Sequence, residues 1–160
     1  MPGASISSAL IKALPGLAAT AALGTALAGL ARRGDALLLA GPLGAGKTTL
    51  ARGFLRAARG EPGLIVPSPS YTLVQSYQTR AGPVHHFDLW RLDGPAGLDE
   101  LGWEEALADI VLVEWPERLG GLRLGGLKPS RALDISLAIT GEESREARLE
   151  GWPDRLGRLS

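Results

Sequence analysis

The sequence predicts a single domain folded as a three-layer αβα sandwich. Two short, wholly apolar runs carry that expectation, with the glycine-rich segment that follows the first. Ala36–Ala40 and residues 110–113 (Ile-Val-Leu-Val) have no polar face, as strands covered on both sides require. Residues 41–46 join the first run to a segment with Leu50, Phe54 and Leu55 at helical spacing. Strand, glycine loop and helix in that order suit a sheet with helices packed on its faces.

Composition narrows the class. The chain has 160 residues, enough for one core. Basic and acidic side chains balance at 17 each, which gives no electrostatic reason for tight, unaided nucleic-acid binding. A local basic face stays possible, because the cations are mostly Arg, with Lys only at 12, 47 and 128. The absence of Cys excludes disulfides, thiolate metal sites and thiol catalysis, and fits a reducing cytoplasm.

The elements follow in order. Residues 1–13 read as a loose start and 14–160 as the domain. Pro15 and Gly16 precede a helix over 17–32, in which Leu23, Leu27 and Leu30 share a face. Its Ala/Leu-rich part resembles the apolar part of an export signal, which is the alternative reading. Only Lys12 precedes it, Thr20, Gly24 and Gly29 dilute it, and it is too short to span a bilayer, so no membrane role is expected. Gly34-Asp35 turns the chain into the first buried strand. A helix over Lys47–Arg59 is stopped by Gly60, Pro62 and Gly63.

A short strand over 64–66 is cut by Pro67 and Pro69. Residues 71–77 and 84–89 read as strands joined by a turn over 79–83. A helix is expected over 98–108, then the second buried strand, then a loop over 120–126. Residues 132–140 alternate Leu133, Ile135, Leu137 and Ile139 with Asp134, Ser136 and Thr140, so one face is buried. Residues 141–144 turn, and 145–150 return as a paired strand. There is no internal repeat, coiled coil or low-complexity tract.

The chemistry starts at Gly41-Pro42-Leu43-Gly44-Ala45-Gly46-Lys47-Thr48, a complete phosphate-loop pattern. Glycines let the backbone wrap so that successive N–H groups face phosphate oxygens. The following helix adds the positive end of its dipole. Lys47 reaches the β- and γ-phosphates, and the Thr48 hydroxyl holds Mg²⁺. Lys47 is expected to face solvent when no nucleotide is bound. An ordinary glycine turn is the bland alternative; the flanking strand and helix argue against it. Such a loop needs an acid at the end of a neighbouring buried strand, and Glu114 directly follows 110–113. Its bland alternative is a surface Glu opening a loop.

Ser68 and Ser70 flank Pro69, so the backbone is extended and both hydroxyls can face a ligand; a plain polar loop is the alternative. His86, Asp88 and Trp90 share one face of their strand, either toward a site or toward solvent. His85 faces the other way and is given no function. Trp115-Pro116 shapes the loop after the strand, with a partner contact open to an exposed Trp115.

Four motifs in order make a more specific pattern: Leu43 to Thr49, Ser68-Pro69-Ser70-Tyr71-Thr72-Leu73-Val74, His86-Phe87-Asp88-Leu89-Trp90-Arg91-Leu92, and Val113-Glu114-Trp115-Pro116. The chain resembles the TsaE family, the bacterial ATPase required for threonylcarbamoyladenosine modification of tRNA, over about residues 14–149. The resemblance implies that Gly44, Ala45, Gly46, Lys47, Thr48 and Thr49 hold ATP and that Thr48 and Glu114 bind Mg²⁺. It places Asp88 near the metal and γ-phosphate, with Lys47, Asp88 and Glu114 as the catalytic set. It also implies that residues 68–72, with Ser70, form a switch that senses the nucleotide, and that Thr20 and Arg145 border the base. The partners it implies are the threonylcarbamoyl-transferase subunit and its paralogue, with tRNA reached indirectly through that complex.

The chain departs from the family at Pro42, where an acid is usual, at Ser70 for Thr, and at Trp90 for Tyr, which loses a phenol. Two rivals stand beside this reading. A small-molecule kinase would use an Arg-rich lid, for which Arg118, Arg123 and Arg131 are available. A GTPase or non-catalytic switch would commonly carry Asn-Lys-x-Asp, and the chain has no Asn.

Overall fold

The computed structural model describes residues 9–94, 96–124 and 131–159, with 121–124 as backbone only. The wholly apolar runs become β2 (Ala36–Ala40) and β5 (Ile110–Glu114). Around them lie β1 (Leu10–Leu14), α1 (Leu17–Ala28), α2 (Lys47–Arg59), β3 (Val74–Thr79), β4 (Gly82–Asp88), α3 (Ala96–Glu100), α4 (Trp103–Ala106), β6 (Ala132–Ile139) and β7 (Arg145–Gly151). The strands form one sheet in the order β1-β7-β6-β2-β5-β4-β3. The stretch β6-β2-β5-β4 is parallel, and antiparallel strands finish both edges.

Burial on two faces explains the sequence pattern. Leu37, Leu39, Leu112, Leu133 and Ile135 lie beneath α1 and α2. Leu38, Val111, Val113 and Phe87 face the other way, against Leu98 and Trp103. Phe87 and Trp103 meet edge to face with centroids 5.2 Å apart. This second layer covers the β2, β5 and β4 side. Over β6 and β7, Ser136, Ala138, Glu146 and Arg148 remain exposed among the described residues, which is why those strands alternate. The helices α1 and α2 approach closely because two glycines stand at the contact. A Cβ on Gly24 would lie 2.1 Å from the Leu50 carbonyl oxygen, and one on Gly53 2.2 Å from that of Ala21.

Several boundaries differ from expectation. Residues 10–13 of the start read as loose belong instead to an edge strand, Leu10–Leu14, paired with β7, with Leu14 buried. The start of that segment, residues 1–8, lies outside the described residues. Residues 64–66 form no strand. Their carbonyls take hydrogen bonds from α2 instead, Arg56 Nε to Leu64 O at 2.9 Å and Arg52 to Val66 O at 3.5 Å. The following strand starts only at Val74, because the Leu73 N–H donates to Pro69 O at 2.8 Å in a turn. The helix expected over 98–108 is broken into α3 and α4 by Gly102 at φ +75°. The first helix stops at Ala28, before Gly29. Part of the loop expected over 120–126 is 3-10 helix, Pro116–Leu124, kinked at Gly120; residues 125–126 lie outside the described residues.

The last segment closes the end of the sheet away from the glycine loop. Arg155 donates to both oxygens of buried Asp35, at 2.6 and 3.1 Å, just before β2. Trp152 Nε1 donates to Arg131 O at 3.0 Å.

Candidate functional site

The loop leaves the C-terminal end of β2, beside the C-terminal ends of β5 and β4, where open α/β sheets bind ligands. Register places Leu39 opposite Glu114 and Asp88 opposite Glu114. Sheet order therefore brings loop, acid and second acid together. A cleft of about 280 Å³ opens there, lined by Gly44 to Thr49, Ser68, Ser70, Asp88, Trp90, Glu114 and Trp115.

The loop is held by glycine geometry and by a guanidinium. Gly41, Gly44 and Gly46 have φ of +148°, +81° and +103°, which side-chain-bearing residues rarely take. The helix α2 begins after Gly46 with no side-chain cap, leaving first-turn N–H groups for an anion. Arg145 lies behind the loop. It donates to Gly44 O at 2.9 Å and Ala45 O at 3.1 Å, and to carbonyls of the β6–β7 turn at Gly141, Glu142 and Ser144. Thr20 is also behind it, fully buried. Its methyl lies 3.3 Å from where a Gly46 Cβ would stand. Both residues support the loop from beneath, and neither lines the cleft.

Lys47 does not face solvent as expected; it is 5% exposed. Its ammonium folds back to donate to Gly41 O at 2.5 Å and Pro42 O at 3.0 Å, and sits 3.8 Å from the Trp115 ring centroid. The loop supplies these acceptors itself, so a buried cation need not be orphaned. Burial pushes the Lys47 pKa down, opposed by the negative charges of Glu114, Glu117 and Asp88.

Glu114 is buried and anchored twice. The Thr48 hydroxyl donates to its two oxygens at 3.0 and 3.1 Å, and His86 Nε2 lies 2.7 Å from Oε2. Asp88 is likewise 4% exposed. Its Oδ2 accepts from Ser68 at 3.0 Å and Ser70 at 3.3 Å, and its Oδ1 from the Trp90 N–H at 3.0 Å. The serine segment thus bonds directly to the carboxylate. The Trp90 and Trp115 rings meet at a tilt of 43° with centroids 4.4 Å apart, and Arg118 lies 5.3 Å from the Trp90 ring centroid.

Of the residues singled out in the sequence, Gly44 to Thr49, Ser70, Asp88 and Glu114 line one cleft, and Thr20 and Arg145 do not. Sequence reasoning missed His86 as a partner of Glu114, although its place two residues before Asp88 put it on the same strand face. It also missed the Trp115 ring over Lys47. Of the arginines considered for a kinase lid, Arg131 instead lies 3.4 Å from Asp35 at the other end of β2, and the Arg123 side chain is outside the described residues. Among the described residues no helix is long and apolar enough to cross a membrane.

The family model for threonylcarbamoyl adenosine biosynthesis protein TsaE matches residues 14–147. A Rickettsia felis protein named tRNA threonylcarbamoyladenosine biosynthesis protein TsaE is 38% identical over 112 residues, 69% of this chain and 62% of that relative. Relatives of the same name from Nostoc and Bacillus subtilis are 36% and 32% identical, each over 79% of this chain and 76% of the relative. The match spans less than two thirds of the Rickettsia felis protein and 47% of the Rickettsia conorii one. The crystal structure of Bacillus subtilis YdiB superposes with a TM-score of 0.71 at 27% identity, covering 98% of this chain and 94% of that one.

Proposed function

The chain belongs to the TsaE family, and from that premise we propose that it binds ATP with Mg²⁺ in the cleft at the ends of β2, β4 and β5, and hydrolyses it in support of threonylcarbamoyladenosine formation on tRNA. The reading is carried by the Thr48 hydroxyl, which bonds both oxygens of Glu114 at the foot of the glycine loop. A hydroxyl and a carboxylate are hard oxygen donors, the kind Mg²⁺ takes alongside phosphate oxygens and water. When bound, the cation neutralises charge building on the β- and γ-phosphate oxygens.

The remaining work belongs to the chain. Loop amides from Gly44 to Thr49 cradle the phosphates. The Lys47 ammonium turns from Gly41 O and Pro42 O to the phosphate oxygens, trading weak neutral acceptors for charged ones. Asp88, beside Glu114 on the neighbouring strand, orients the attacking water. Ser68 and Ser70, bonded to Asp88, pass its position to the segment around Tyr71, whose side chain is 84% exposed. So little packing lets a docked partner select one conformation. The partner proposed is the threonylcarbamoyl-transferase subunit with its paralogue, in the cytoplasm. The balanced net charge fits tRNA contacts made through that complex.

The test is phosphate release from ATP by the wild type and by Lys47→Ala, alone and with the transferase complex and tRNA. Slow release alone, changed by the partners and abolished by the substitution, is expected. Loss of a charge-assisted contact should weaken ATP binding by about 1.5–3 kcal/mol. Near-normal release by Lys47→Ala would overturn the assignment.

A further inference from the structure

His86 is a histidine with no exposed surface in a strand that ends at the cleft. It stands on β4, two residues before Asp88, and its cross-strand partner on β5 is Leu112. Its ring leans along the strand to the diagonal neighbour, Glu114, and meets Oε2 at 2.7 Å. It does not line the cleft.

The hydrogen in this contact can be assigned. A carboxylate offers only lone pairs, so Nε2 carries the hydrogen and donates it. The other ring nitrogen, Nδ1, is buried without a hydrogen-bond partner among the described residues.

Thr48 approaches both oxygens of Glu114 about equally, at 3.0 and 3.1 Å, and so does not fix which one turns to the cleft. His86 breaks that symmetry. It engages Oε2 and leaves Oε1 with Thr48 alone among the described residues. We infer that His86 is a positioning residue that locks the Glu114 carboxylate in the orientation needed to receive the metal–nucleotide complex. The inference rests on the proposed function, in which Glu114 serves the metal. It is distinct from it, because Glu114 could serve the metal without His86.

The experiment measures Mn²⁺ affinity in the ATP complex by electron paramagnetic resonance, and ATP affinity in EDTA by calorimetry, for the wild type and His86 variants. His86→Phe keeps a buried ring and removes the donor. It should weaken Mn²⁺ binding by about tenfold or more, since partners that orient metal ligands carry effects of that size. ATP affinity in EDTA should stay within about twofold of the wild type, as expected of a change that leaves the loop itself untouched. His86→Gln restores an N–H near the Nε2 position and should recover most of the metal affinity. Should His86→Phe not fold, His86→Asn, whose donor falls short of Glu114, takes its place against His86→Gln. A folded donor-less variant with wild-type Mn²⁺ affinity would overturn the inference, as would an equal loss in EDTA or a failure of Gln to rescue. Wild-type ATP binding that ignored the metal altogether would instead overturn the function on which the inference rests, and the inference with it.

Discussion

The ammonium of Lys47 lies 3.8 Å from the centroid of the Trp115 ring, which in turn meets the tilted Trp90 ring at 4.4 Å between centroids. Trp115 reaches this place with φ +60°, a conformation that costs a bulky residue about 1–3 kcal/mol. The ring contacts help hold it there. Drawing Lys47 to phosphate removes the cation from the indole, so tryptophan emission should change on adding ATP with Mg²⁺. The change should shrink in Trp115→Phe, which leaves Trp90 as the indole in the cleft, and persist in full when Trp152, tied to Arg131 O at the other end of the sheet, is replaced by Phe. Emission changes of equal size in both variants would show that this contact does not report the nucleotide.

Glu114 and Glu117 are nearby acids with different surroundings. Glu114 is 3% exposed and bonded to Thr48 and His86, whereas Glu117 is exposed. Glu114→Ala should raise the Mg²⁺ concentration needed for half-maximal turnover by about tenfold or more. It should also cost about 1–3 kcal/mol of stability, because the His86 N–H loses its acceptor. Glu117→Ala should shift the Mg²⁺ requirement by no more than about twofold. Equal effects in a metal titration would mean that burial at the strand end does not select the acid.

The glycines between α1 and α2 provide a test of packing alone. Gly24→Ala and Gly53→Ala drive a methyl group into backbone oxygens and should each destabilise the protein by about 1–3 kcal/mol in urea unfolding. Gly29→Ala is the control, with φ −70° and its nearest neighbour at 3.4 Å. It should be close to neutral. A neutral Gly24→Ala would contradict the close helix approach.

A pH effect is expected far from the cleft. The His85 hydrogen bond at 3.0 Å holds the Asp109 carboxyl below its ordinary value of 3.8; burial opposes this, and Arg33 adds to it. A depressed carboxylate contributes stability that is present above the ordinary value and lost as pH falls through the folded one. Asp109→Asn should therefore melt below the wild type at neutral pH, and the gap should close as pH drops below 3.8. A gap independent of pH would indicate that the charge on Asp109 is not its source.

The legible part of the fold was the part written in short stretches of chain. The bounds of β2 and α2 match the sequence reading because three apolar leucines, a glycine run and a helical repeat are neighbours in sequence. The elements that failed had conflicting local signals. Leu10 and Leu14 face the core of β1, but Ile11 between them hides the alternation. Gly102 lies inside the segment expected to be one helix, yet its positive φ ends one helix and starts another.

By itself, the sequence determined the phosphate loop, the two buried strands and the acid that ends one of them, since each depends on residues a few positions apart. Tertiary structure alone decided what surrounds those groups. His86 looked equally suited to a solvated face until β4 was laid beside β5, which buried it against Glu114, 28 residues away. Lys47 looked like a free cation until the chain after β5 brought Trp115 over it. Arg155 gave no sign of its pairing with Asp35, 120 residues earlier. Such pairings depend on strand order and on which charges lose water together. Those are properties of the packed sheet, and no local period or spacing in the chain encodes them.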